Sequence, residues 1–120
     1  MNSPRLKVVL CASASGLHRM AYQEWGDPSN PDVVLCVHGL TRNSRDFDSL
    51  AQKLQHRYRV ICPDVVGRGL SDWLLNPMGY QVAQYAADMV SLLNQVQPSS
   101  LRWVGTSMGG LVVMTYAGML

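Results

Sequence analysis

Leu101-Arg102-Trp103-Val104-Gly105-Thr106-Ser107-Met108-Gly109-Gly110-Leu111-Val112-Val113-Met114 decides how this 120-residue chain is read. Leu101 to Val104 is a short apolar run that predicts a buried strand, and the segment from Leu111 to Leu120 predicts a helix. Between them Gly105-Thr106-Ser107-Met108-Gly109 fits the pattern G-x-S-x-G. A serine held on a sharp strand-to-helix turn stands clear of the backbone. Small residues two positions to either side let strand and helix approach each other. The Met108 N–H, at the start of the helix, is then placed to meet developing negative charge on a substrate oxygen.

Working outward, Val33-Val34-Leu35-Cys36-Val37 is apolar without alternation, as in a strand covered on both faces. His38-Gly39-Leu40 follows it directly. A glycine there allows a tight turn over the sheet end, so that the Leu40 N–H faces the same point as that of Met108. His38, beside that glycine, is expected to fix the loop through hydrogen bonds rather than to serve as a base. Tyr58 to Cys62 predicts another strand, stopped by Pro63. Asp64-Val65-Val66-Gly67-Arg68-Gly69-Leu70-Ser71 comes next and opens a breaker-rich loop reaching Gly79. Gly67-x-Gly69 lacks the third glycine of a dinucleotide loop and no helix follows it, and G-x-x-x-x-G-K-[ST] does not occur. No cofactor is expected.

The remaining segments complete the pattern. Lys7 to Ala12 and Arg19 to Trp25 read as a hairpin around Gly16. Asn43 or Ser44 is placed to cap a helix whose apolar face is Phe47, Leu50, Ala51 and Leu54. Gln81 to Val96 is the clearest helix, with Val82, Tyr85, Ala86, Met89, Leu92, Leu93 and Val96 in one stripe. The order β-β-β-α-β-α-β-α predicts an α/β fold with a mixed, mostly parallel sheet. Trp73, Leu74 and Leu75 of the long loop are expected to pack on the core.

Composition excludes several classes. Apolar residues make up 48% and charged residues 15%, which is globular rather than disordered. Ten Lys+Arg against eight Asp+Glu give a net charge of +2, with no basic run for a nucleic acid. No apolar stretch approaches the ~20 residues of a membrane helix. Val8 to Ala12, behind Arg5 and Lys7, is shorter than the ~7–15-residue core of an export signal, so a cytoplasmic location is expected. Cys11, Cys36 and Cys62 are too few and too widely spaced for a disulfide framework or a zinc site, and no metal is expected.

His38-Gly39 after the third strand, Asp64-x-x-Gly67-x-Gly69-x-Ser71 after the fourth and Gly105-x-Ser107-x-Gly109 after the fifth resemble the α/β-hydrolase superfamily. The resemblance is to the branch of esterases, enol-lactonases and carbon–carbon bond hydrolases. It implies Ser107 as nucleophile, Leu40 and Met108 N–H groups as the oxyanion hole, and His38, Gly39, Gly105 and Gly109 as its support. It implies a small-molecule substrate, an ester, lactone, thioester or activated ketone, and a structural role for the Asp64–Ser71 segment. A serine at this position speaks against haloalkane dehalogenase or epoxide hydrolase chemistry, which uses a carboxylate.

In that family an acid and then a histidine follow the serine. No Asp, Glu or His follows Ser107 here. His38, Asp64 and Ser107 stand in the order found on antiparallel barrels, which the alternating strands and helices contradict. The expectation is therefore that residues 1–120 are the N-terminal part of a single hydrolase domain, truncated before its acid and base, with no second domain. The other reading is a hydrolase-derived scaffold that binds a ligand without chemistry. Either way Leu101–Val104 is expected at an open sheet edge available for self-association, with Val112, Val113, Met114 and Leu120 partly uncovered.

Overall fold

The computed structural model describes residues 3–118. Five strands, β1 (Arg5–Ser13), β2 (Gly16–Trp25), β3 (Asp32–Val37), β4 (Arg59–Pro63) and β5 (Ser100–Gly105), form one sheet in the order β1-β2-β4-β3-β5. The β1–β2 and β2–β4 pairs are antiparallel, and β3 pairs in parallel with both β4 and β5. Helices α1 (Asp48–Leu54), α2 (Val82–Val96) and α3 (Met108–Gly118) lie in the crossovers and after β5. The α/β class and the element order agree with the sequence reading. The Met119 and Leu120 end of the expected last helix lies outside the described residues.

The unbroken apolar run of β3 is explained by its two covers. Val33, Leu35 and Val37 point into a core shared with Tyr85, Met89 and Leu92 of α2 and Met108 and Val112 of α3. Val34 and Cys36 point the other way, onto Phe47, Ala51, Val60 and Cys62. All three cysteines are free and buried. Among the described residues no helix is long and apolar enough to cross a membrane.

Several details depart from expectation. The hairpin is tighter, with Gly16 already paired to Ser13. Pro63 does not stop β4 but ends it, paired opposite Tyr22, where a missing N–H is tolerated. The first helix opens as a 3-10 turn over Ser44–Phe47, with the Asn43 side chain accepting from the Arg45 N–H. The tighter winding rotates the face that follows, and Leu50 is 37% exposed instead of buried. Trp73 and Leu75 do not pack on the core; they are 76% and 91% exposed, and only Leu74 rests against it. Val112 is wholly buried, whereas Met114 is largely exposed.

The hairpin end of the sheet holds two polar clusters that the pattern did not announce. Glu24 is inaccessible, with Lys7 Nζ at 2.8 Å and Arg5 Nε at 3.2 Å on one oxygen and Arg59 Nε at 2.6 Å on the other. Burial alone raises a carboxyl, but the bonds and charges of Lys7 and Arg59 outweigh it and hold Glu24 below its ordinary value. At the other end of β2, on the same face, His18 Nε2 lies 2.9 Å from Asp88 Oδ2, and Gln84 Nε2 donates to Asp88 Oδ1 at 2.8 Å. Cys11 joins them, with ligand-type atoms of the three residues within 4.8 Å of one another. Burial, then the Asp88 carboxylate, pushes the Cys11 thiol up to about 12, so it stays protonated.

Candidate active site

The candidate site sits at the carboxyl ends of β3 and β5, where parallel sheets place their ligands. The elbow is built as its sequence requires. Ser107 has φ 53°, in the left-handed region that a non-glycine residue adopts only under constraint. The constraint is visible on both sides. The Thr106 N–H donates to the Val37 carbonyl at 3.1 Å, tying the turn to β3. The Gly109 and Gly110 N–H groups donate back to Thr106 and Ser107 and start α3. A Cβ on Gly105 would lie 2.7 Å from the Gly109 backbone, and one on Gly109 would run into the Val37 carbonyl. Strand and helix touch there without room for a side chain.

Gly39 lies against the serine: a Cβ placed on it would be 3.7 Å from the Ser107 Cβ. The Met108 N–H is the first of α3, and among the described residues neither it nor the Leu40 N–H has a backbone partner. Helix starts leave such donors unpaired and carry partial positive charge.

His38 is wholly buried and both its ring nitrogens are engaged by backbone. Nε2 accepts from the Val65 N–H at 2.9 Å, so Nδ1 carries the proton and donates to the Gly39 carbonyl at 2.7 Å. Burial holds the ring below the ordinary histidine value, against the raising effect of its bond to Gly39, and favours the neutral form. Because a trans peptide sets C=O and N–H antiparallel, pinning the Gly39 carbonyl also aims the Leu40 N–H.

The Asp64–Ser71 segment is a staple. Asp64 Oδ1 accepts from the Ser44 N–H at 2.7 Å and Oδ2 from the Leu70 N–H at 3.1 Å. Ser71 Oγ accepts from the Ala21 N–H at 2.8 Å and donates to the Asp64 carbonyl. Asp64 and His38 are therefore committed to loop backbone, and neither reaches toward Ser107 as a triad member. His18 is buried beside Asp88 and His56 is exposed on another face.

A cleft of about 500 Å³ opens over the serine, lined by Leu40, Tyr80, Val82, Tyr85, Ser107, Met108 and Leu111. Among the described residues no histidine or carboxylate lines it. The sequence reading named Leu40, Ser107 and Met108, and all three line this one cleft. It missed Tyr80, Val82, Tyr85 and Leu111, because helical periodicity assigned Val82 and Tyr85 to the core. That assignment is half right: Tyr85 is buried, at the floor of the cleft.

The alpha/beta hydrolase fold family profile matches residues 32–120. The chain belongs to the alpha/beta hydrolase family. It is 57% identical over 117 residues to a 3-hydroxybutyrate-oligomer hydrolase of Cupriavidus necator, covering 98% of this chain and 40% of that protein. The crystal structure of an alpha/beta hydrolase from Novosphingobium aromaticivorans superposes with a TM-score of 0.84 at 41% identity, covering 99% of this chain and 41% of that one. The thioesterase domain from the curacin biosynthetic pathway superposes with a TM-score of 0.83 at 25% identity, over 96% and 42% of the two chains. The chain thus spans about 40% of the length of that hydrolase from Cupriavidus necator.

Proposed function

We propose that this chain carries the nucleophile and oxyanion hole of a serine hydrolase that works through an acyl-enzyme. The observation that carries the reading is the left-handed Ser107, beside the unpaired Met108 and Leu40 N–H groups in one cleft. Ser107 Oγ attacks the substrate carbonyl carbon and loses its proton to a base. The carbonyl oxygen takes the negative charge and accepts from the two N–H groups. Collapse of the tetrahedral adduct expels the alcohol, which takes that proton, and water then releases the acid by the same steps in reverse order.

Among the described residues, no base or orienting acid lines the cleft. We assign them to the rest of a full-length enzyme, for which the relative's greater length leaves room. The substrate we favour is a short aliphatic ester, with 3-hydroxybutyrate oligomers first. The 57% identity to a hydrolase of such oligomers and the mainly apolar cleft support that choice. In this reading the enzyme is cytoplasmic, in keeping with the Val8–Ala12 run being spent on β1, where Val9 and Cys11 enter the core.

The test uses the protein encoded by the reading frame that contains these residues. It is expected to release 3-hydroxybutyrate from the linear dimer, and Ser107→Ala is expected to lower kcat by about 10⁴-fold or more. Undiminished turnover by the variant would overturn the nucleophile. The scaffold reading would be favoured by a wild-type protein that binds the dimer and leaves it intact.

A further inference from the structure

Leu40 is held from both sides. The peptide before its Cα is pinned by His38 Nδ1, which donates to the Gly39 carbonyl at 2.7 Å, and by the Arg42 N–H, which donates to the same oxygen at 3.2 Å. The peptide after its Cα is pinned by a residue from a different loop. Arg68 Nε donates to the Leu40 carbonyl at 3.0 Å. Arg68 is itself anchored twice: Nη1 donates to the Val66 carbonyl at 2.9 Å, and the guanidinium carbon lies 5.1 Å from the centre of the Tyr85 ring. A planar guanidinium has the fork and the flat face for all of these contacts at once, which a lysine lacks. One side chain thus joins the Leu40 loop, the loop after β4 and the α2 wall of the cleft.

We propose that Arg68 is a positioning residue for the oxyanion hole. It locks the peptide plane beyond Leu40 so that the Leu40 N–H keeps its aim at the substrate oxygen during the reaction. The inference rests on the Ser107 acyl-enzyme reading. Its physical basis is that an oxyanion donor acts only if it is set before charge develops; a loop free to swing must be reordered at each turnover. Arg68 touches no reacting atom in this account. Its contribution belongs to the transition state and not to ground-state binding, so it falls on kcat and on the binding of tetrahedral adducts.

The test compares wild type, Arg68→Met, Arg68→Ala and Ser107→Ala in the full-length protein, with p-nitrophenyl butyrate as substrate and an alkyl boronic acid as the tetrahedral mimic. Arg68→Met keeps an apolar stem against Tyr85, which preserves the packing. Since deletion of an oxyanion donor costs roughly 10²–10³ in rate, loosening one is expected to lower kcat about 10-fold. KM is expected to stay within about threefold, and the boronate inhibition constant to rise in step with the loss of kcat. Guanidinium ion at tens of millimolar is expected to restore part of the Arg68→Ala rate and none of the Ser107→Ala rate. An Arg68→Met enzyme with wild-type kcat, or one whose whole loss lies in KM with boronate binding unchanged, overturns the inference while a dead Ser107→Ala leaves the site reading standing. An active Ser107→Ala overturns both.

Discussion

Ser107 carries backbone strain, and in the proposed function it carries the chemistry as well. A non-glycine residue in the left-handed region costs about 1–2 kcal/mol, and here the surrounding bonds to Val37, Thr106 and α3 impose it. Ser107→Gly is therefore expected to raise unfolding stability by about 1 kcal/mol while abolishing hydrolysis. Denaturant unfolding measures it; an unchanged or lower midpoint would mean that the turn is not strained. The serine was legible because a five-residue pattern coincided with a strand before it and a helix after it. His38 was legible too, since a histidine between a strand end and a glycine has backbone on every side to bond. Arg68 was not: a lone arginine in a breaker-rich loop looks like any solvated charge, and only the folded chain brings the Leu40 carbonyl and the Tyr85 ring to it.

At the scale of elements, the approach of α3 to β3 and β5 depends on missing side chains. Gly109→Ala puts a Cβ onto the Val37 carbonyl, which is backbone of β3, a strand paired on both sides, and cannot swing aside. We expect a loss of about 3 kcal/mol or more, or failure to fold. Gly110→Ala is the control, since its Cβ would meet nothing closer than 3.9 Å and it lies inside a helix. It is expected to be neutral or to stabilise by up to ~1 kcal/mol. Equal damage from both would contradict the packing account. Strands β3 and β4 were readable because burial on both faces leaves no polar alternation to misread. Leu50 was misread because periodicity assumes one regular helix, and a 3-10 turn precedes α1. Trp73 and Leu75 were misread because hydrophobicity carries no information on whether a loop residue finds cover. The polar clusters around Glu24 and Asp88 were invisible because their members come from strands and helices far apart in the chain.

The whole molecule ends its sheet in two different ways. At β1, Gln95 Nε2 donates to the Val8 carbonyl at 3.1 Å and Gln84 Nε2 to the Ala12 carbonyl at 2.9 Å, so α2 side chains blunt the edge. At β5, β3 is the one strand partner among the described residues, and Leu101, Trp103 and Val104 are half-buried while Leu111 and Met114 are exposed. We propose that the 120 residues expressed alone associate through β5 and hydrolyse p-nitrophenyl esters at background. Analytical ultracentrifugation over a concentration series is expected to show reversible oligomers, and a monomer at all concentrations would contradict it. The central claim, that Ser107 is the nucleophile, is tested most directly by mass-spectrometric mapping of a fluorophosphonate adduct on the full-length protein. The account predicts one adduct per chain on Ser107 and none in Ser107→Ala. An adduct on another residue, or undiminished labelling of the variant, would contradict it.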